Sequence, residues 1–172
     1  MKPSIRLLAL VFGLLVFGST QLFAVRPTIQ YIDFSGTAFT LPASAGFCPF
    51  DIFEEPIGNK EKIATFYGQG GEVKFLIITG VNKWRFTNLS TGKIQEFNAS
   101  GPARFFVQPG ADTVLAYGGG VSFYYIPNPP AGIPKLALTR GRVVAELDPA
   151  TFVVTNLITH HGTVQDICAL LR

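Results

Sequence analysis

The chain has 172 residues, of which 48% are hydrophobic, 13% aromatic and only 15% charged, with 18 Gly, 12 Pro, two Cys and a formal charge of +3. A disordered chain is poorer in apolar residues, a collagen carries glycine at every third place, and a coiled coil needs more charge and less proline. What is left is one ordered domain of ordinary size.

At the N-terminus Lys2 and Arg6 precede an uncharged apolar run over residues 7–17. That run has the length of a secretory h-region and is short of the roughly 20 apolar residues a spanning helix needs. Gly18, Ser19 and Thr20 follow, and Ala24 ends the expected signal peptide, although Leu22 departs from the small-x-small pattern. The alternative is an uncleaved anchor reaching to Phe23. Residues 1–24 are therefore read as signal and 25–172 as a single β domain. Cutting after Ala24 leaves 148 residues and, with Lys2 and Arg6 gone, twelve basic against eleven acidic side chains, a balance of +1. The basicity is thus largely a targeting feature, and with the remaining Lys and Arg scattered singly, nucleic acid is not an expected partner. No second long apolar run follows, so no membrane association is expected after cleavage.

The remaining chain has a period of two. Runs rich in aromatic and β-branched residues occupy 28–34, 62–67, 73–78, 103–107 and 121–126, separated by Gly and Pro clusters such as Gly118-Gly-Gly120. Lys83-Trp-Arg-Phe-Thr87 and Lys93-Ile-Gln-Glu-Phe97 flank Asn88-Leu-Ser-Thr-Gly92, a loop whose Asn and Gly tolerate positive φ. In 141–147, Val143, Ala145 and Leu147 share one face; the turn Asp148-Pro-Ala-Thr151 leads to the partner strand at 152–158. Nine or ten short strands with turns at about 8–12 residue intervals predict an all-β antiparallel sandwich, with a closed up-and-down barrel as alternative. Thr163-Val-Gln-Asp166 fits a capping box and predicts a short C-terminal helical turn.

Cys48 and Cys168 make an even count in an exported chain and are expected to pair, closing a loop of 120 residues; separate thiols are the alternative.

Several short segments, Phe47-Cys-Pro-Phe-Asp-Ile-Phe53, Thr87-Asn-Leu-Ser-Thr-Gly-Lys93, Gly101-Pro102, Gly141-Arg-Val-Val144 and Asp166-Ile-Cys-Ala-Leu-Leu171, resemble a group of secreted two-cysteine proteins widespread in actinobacteria and related bacteria. The resemblance spans most of residues 40–172. It implies an exported, disulfide-linked, all-β domain of unknown function and carries over no catalytic or binding residue.

Motifs that carry chemistry are missing: there is no G-x-S-x-G elbow, no H-E-x-x-H and no Walker loop. Adjacent His160 and His161 point to opposite faces of a strand, but Gly162 is read as supplying a turn after them, which makes the two a candidate metal or general-base site. Asp51, Glu54 and Glu55 form the densest acidic group, placed on a loop ending at Pro56-Ile-Gly58, with calcium as its candidate use. Trp84, Tyr117, Tyr124 and Tyr125 are the candidates for an exposed aromatic ligand platform, and Tyr124 and Tyr125 must face opposite ways. Sequons stand at Asn88 and Asn98. Together these features describe a secreted, non-catalytic structural or interaction module without a cofactor, whose partner is an extracellular protein or glycan. A carbohydrate or small-ligand binding module is the first alternative. The second is a small barrel enzyme with the architecture of the dirigent proteins and allene oxide cyclases.

Overall fold

A computed structural model describes residues 26–33, 36–107, 112–151 and 153–172; the signal-peptide reading of 1–24 lies outside them. Among the described residues ten strands form: β1 (Thr28–Ile32), β2 (Phe39–Leu41), β3 (Ile52–Tyr67), β4 (Val73–Asn88), β5 (Ile94–Asn98), β6 (Ala103–Val107), β7 (Val114–Gly118), β8 (Val121–Tyr125), β9 (Leu136–Leu147) and β10 (Val154–Asp166). A single helical turn, α1 (Ile167–Leu170), ends the chain. The all-β antiparallel architecture and the terminal turn are as the periodicity predicts.

All ten strands belong to one sheet, whose main path runs β1-β3-β4-β6-β7-β9-β10. Among the described residues β1 and β10 each pair on one side only, so the sheet is open and the alternative closed barrel is not formed. Its two layers arise from two long hairpins. In β3–β4 the partners change along the strands: β4 pairs β6 over Phe75–Ile78 and β5 over Lys83–Thr87, while β3 pairs β1 at one end and β2 at the other. In β9–β10, β9 pairs β8 over Leu136–Arg140 and β7 over Val143–Leu147. Each hairpin thus joins the common sheet at one end and carries a separate flap at the other.

The bends between these halves fall on glycines. Gly141 and Gly162 face each other in register, with φ of 137° and 126°, and a Cβ on either would lie 2.1 Å from His161 O or 2.0 Å from Arg140 O. Gly80, opposite Glu61, does the same for the first hairpin at φ 140°. L-residues rarely adopt such dihedrals, and here a side chain would also strike backbone. Gly141→Ala and Gly162→Ala are each expected to cost about 2 kcal/mol or more. Gly58→Ala, where a Cβ meets only the Lys83 side chain at 3.6 Å, serves as the mild control. Urea midpoints check this, and equal midpoints for all three variants would contradict it.

The flaps close on the first core. Ile52, Trp84, Phe86 and Phe97 from one side meet Leu136, Leu138 and Phe123 from the other, with Cys48, Ile167, Cys168 and Leu171 sealing the end. Phe123 bridges the layers, its ring 6.0 Å from Trp84 and 5.6 Å from Phe86, both edge-on. A second cluster on the common sheet joins Ala116, Val143, Ala145, Leu147 and Val154; Val143, Ala145 and Leu147 share a face there as the alternation requires.

Three expectations need correction. The loop assigned to Glu54–Gly58 is part of β3, with a bulge between Pro56 and Gly58, a place where a strand tolerates proline. Gly162 does not turn the chain; β10 runs through it to Asp166. The helical turn is capped by Asp166, whose Oδ1 accepts from Cys168 N at 2.8 Å and Ala169 N at 3.2 Å, while Thr163 stays in the strand. The carboxylate alone satisfies two orphan donors, so no threonine is needed.

Candidate functional site

Residues directly opposite in an antiparallel pair share a face. Glu54 stands opposite Phe86 and Asn59 opposite Asn82, and alternation puts Asn82, Trp84 and Phe86 together on the inner side of β4. Glu61, two residues beyond Asn59, continues the row toward the bend. The inner face of this hairpin therefore carries a polar stripe, Glu54, Asn59, Glu61 and Asn82, inside an otherwise apolar interlayer.

The stripe is hydrogen-bonded in two groups. At the bend Trp84 Nε1 donates to Asn82 Oδ1 (2.5 Å), Asn82 Nδ2 donates to Glu61 Oε1 (3.2 Å), and Asn82 N donates to Ser100 Oγ (2.9 Å). Deeper in, Tyr125 Oη donates to Glu54 Oε2 from the opposite layer. Glu54 is fully buried, its Oε1 has no partner, and neither do both amide atoms of the buried Asn59. Burial pushes the Glu54 carboxyl up to about 7 against the lowering pull of the Tyr125 hydrogen bond. Tyr125 is pushed up in turn, by burial first and then by the Glu54 charge. Burial also raises the Glu61 carboxyl, opposed by Asn82.

Beside the bend lies a partly open cavity of about 300 Å³. Glu61 and Asn82 form its polar wall; Phe105, Phe123 and Tyr124 form the aromatic one. The room comes from small residues on neighbouring strands, Ala103, Ala116 and Gly118. Gly118 has a specific part, because a Cβ there would lie 2.1 Å from Tyr124 Oη. Burial raises the Tyr124 phenol above its ordinary value.

The sequence candidates are placed as follows. Trp84 is not on an exposed platform: it is 9% exposed, packed edge-on against Phe39 and Phe123, with its N–H committed to Asn82. Phe39 and Phe123 close over its ring and Asn82 satisfies its N–H, so the indole is buried in the core. Tyr124 and Tyr125 do face opposite ways, Tyr125 packing on the first core and Tyr124 on the second. Tyr117 is half-buried and packs edge-on against Phe106 at 5.4 Å.

The acidic group is divided between environments. Asp51 Oδ1 accepts from Ala43 N at 2.7 Å, Glu54 turns inward, and Glu55, on the other face, pairs with Arg85 at 3.0 Å. Among the described residues no group of three or more His, Cys, Asp or Glu side chains is arranged to hold a metal. His160 and His161 remain on β10; His160 Nε2 is buried without a partner, and His161 Nε2 lies 3.3 Å from Thr159 Oγ1. The two sequons also differ: Asn88 is buried and donates to Leu171 O at 3.0 Å, whereas Asn98 is exposed.

Cys48 and Cys168 are disulfide-bonded, with Cα atoms 5.5 Å apart. Among the described residues no helix is long and apolar enough to cross a membrane.

Sequence reasoning missed Asn59, Glu61, Asn82 and Phe105. The signal was there in Asn59-Lys-Glu61 and Asn82-Lys-Trp84, two pairs spaced by two, but it is meaningful only once both strands and their register are known. Compared with known proteins, the chain matches no protein-family model, no curated protein and no solved structure. What the cavity does is therefore read from its own chemistry.

Proposed function

We propose that this protein is an exported, non-catalytic binding module that takes a small ligand with an apolar body in the cavity beside the β3–β4 bend. The observation that carries this is the cavity itself: about 300 Å³, walled by aromatic rings, with Glu61 and Asn82 converging from one side. Small-molecule sites have this composition, a mainly apolar lining with a few oriented polar groups. A purely structural β domain would close such a space with larger side chains than Ala103, Ala116 and Gly118, since interiors pack densely.

Binding is favoured over catalysis by the state of the groups. Burial makes the Tyr124 proton harder to remove, and Asn82 holds the Glu61 carboxylate in place. Export is supported by the apolar N-terminal run and by a buried disulfide, which suits an oxidising compartment.

A glycan screen with Trp84→Ala as control would report a damaged core, because Trp84 is buried. The suitable test is a ¹⁵N-labelled protein titrated with small probes, namely cyclohexanol, indole, benzyl alcohol and methyl glucoside. Shifts are expected to centre on the amides of Ala103, Ala116 and Gly118 and to vanish in Ala103→Trp, where an indole fills the space. Ala116→Leu is the milder blocking variant. Shifts scattered elsewhere, or none with any probe, would overturn the reading.

A further inference from the structure

We infer that the ligand of this cavity is a small organic cation, a protonated or quaternary amine carried on a hydrophobic body; this rests on the binding reading above. Among the described residues lining the cavity, Glu61 is the one acidic side chain, and no Lys, Arg or His stands with it. The positive residues nearest in sequence are turned away by strand alternation: Lys60 and Lys62 flank Glu61, and Lys83 follows Asn82. Arg85 is committed to Glu55 and Glu96, and Arg104 lies over the Phe75 and Phe106 rings at 5.5 and 6.0 Å, on the face of β6 opposite Phe105.

The stripe as a whole has the same character. Glu54 and Glu61 are its acidic members, and the residues between and beside them, Pro56, Asn59, Asn82, Trp84 and Phe86, include no basic side chain. A carboxylate half-withdrawn from water with no counter-ion is an unfavourable arrangement that an ammonium group would relieve. Its orientation is fixed in advance by the Trp84–Asn82–Glu61 hydrogen-bond chain, so little ordering is lost on binding. Opposite it, Phe105, Phe123 and Tyr124 offer π-systems, which attract cations and accept an apolar body equally well. An anion would meet Glu61 as a like charge. A sugar would leave the carboxylate unneutralised and find Trp84 already enclosed.

The test uses three isosteres, benzylamine, benzyl alcohol and benzoate, whose affinities are read at pH 7 from the shifts of the Ala103, Ala116 and Gly118 amides. Benzylamine is expected to bind about tenfold more tightly than benzyl alcohol, with benzoate weakest, in line with one partly desolvated ion pair and cation–π contact. Glu61→Gln is expected to abolish the roughly tenfold advantage of the amine over the alcohol. Should that variant fail to fold, Phe105→Leu keeps the carboxylate and removes a ring, and is expected to weaken benzylamine more than benzyl alcohol. Equal binding of amine and alcohol by the wild type would overturn the cation assignment and leave the binding reading standing. Absence of cavity shifts with all three would overturn both.

Discussion

Reduction of the Cys48–Cys168 disulfide, or replacement of both residues by alanine, is expected to lower the stability of the fold by about 5 kcal/mol. The bond closes a loop of 120 residues, and the chain-entropy relation assigns a crosslink of that span a value near this figure. Its position lets the full effect be felt. Cys48 and Cys168 are 5% and 4% exposed within the first core, and Ile167 and Leu171 beside Cys168 are fully buried. Two thiols would still fit that packing, so the loss falls mainly on the unfolded chain, which regains its freedom. Set against a net stability of roughly 5–15 kcal/mol for a typical domain, it is a large share. Urea unfolding of oxidised and reduced protein measures it directly. A difference under about 1 kcal/mol would mean that α1 is held by its other ties, such as Asn88 Nδ2 to Leu171 O and Lys93 Nζ to Arg172 O.

The second large effect is a fall in stability as pH rises across neutrality, carried by Glu54. Its carboxyl sits at about 7 in the folded protein against 4.5 ordinarily, so the native state holds the proton more tightly than the unfolded chain. The associated stability is fully present below pH 4.5 and is lost as pH rises through 7. The full span corresponds to about 3 kcal/mol. Glu54→Gln keeps the shape and removes the titration, so the difference between wild type and variant across pH 4.5–8 isolates this group. Glu61, raised in the same direction, leaves a smaller slope of the same sign in the variant. Parallel profiles for the two proteins would show that Glu54 does not titrate across this range.

The parts of the fold that the sequence foretells are those set by local chemistry. Asp148 closes the β9–β10 turn by accepting from Ala150 N, Thr151 N and Thr151 Oγ1, and the loop after Asn88 bends where its Asn and Gly stand. The first half of β3 is different. Its Glu-Glu-Pro-Ile-Gly composition has every local mark of a loop, yet β4 pairs along it and Tyr125, 71 residues away, donates a hydrogen bond to Glu54. Long-range pairing overrides propensity there. Gly141 and Gly162 mislead in a related way: alone each reads as a strand end, and only their register shows a bend shared by two strands. The cavity was illegible for a third reason. Its walls come from β3, β4, β6, β7 and β8, and its volume from small residues that form no motif.

The folded-over sheet also dictates when the protein can acquire its structure. The β3–β4 hairpin is local in sequence, but much of the surface that covers Trp84, Phe86 and Phe97 comes from residues 121–171, the rest from residues 39–52. During synthesis that apolar face is only partly covered until these residues have been made. The disulfide obeys the same timetable, since Cys168 follows Cys48 by 120 residues. Closure of the first core is therefore late relative to formation of the hairpin. The interval before it is when the hairpin is most exposed to aggregation and to chaperones.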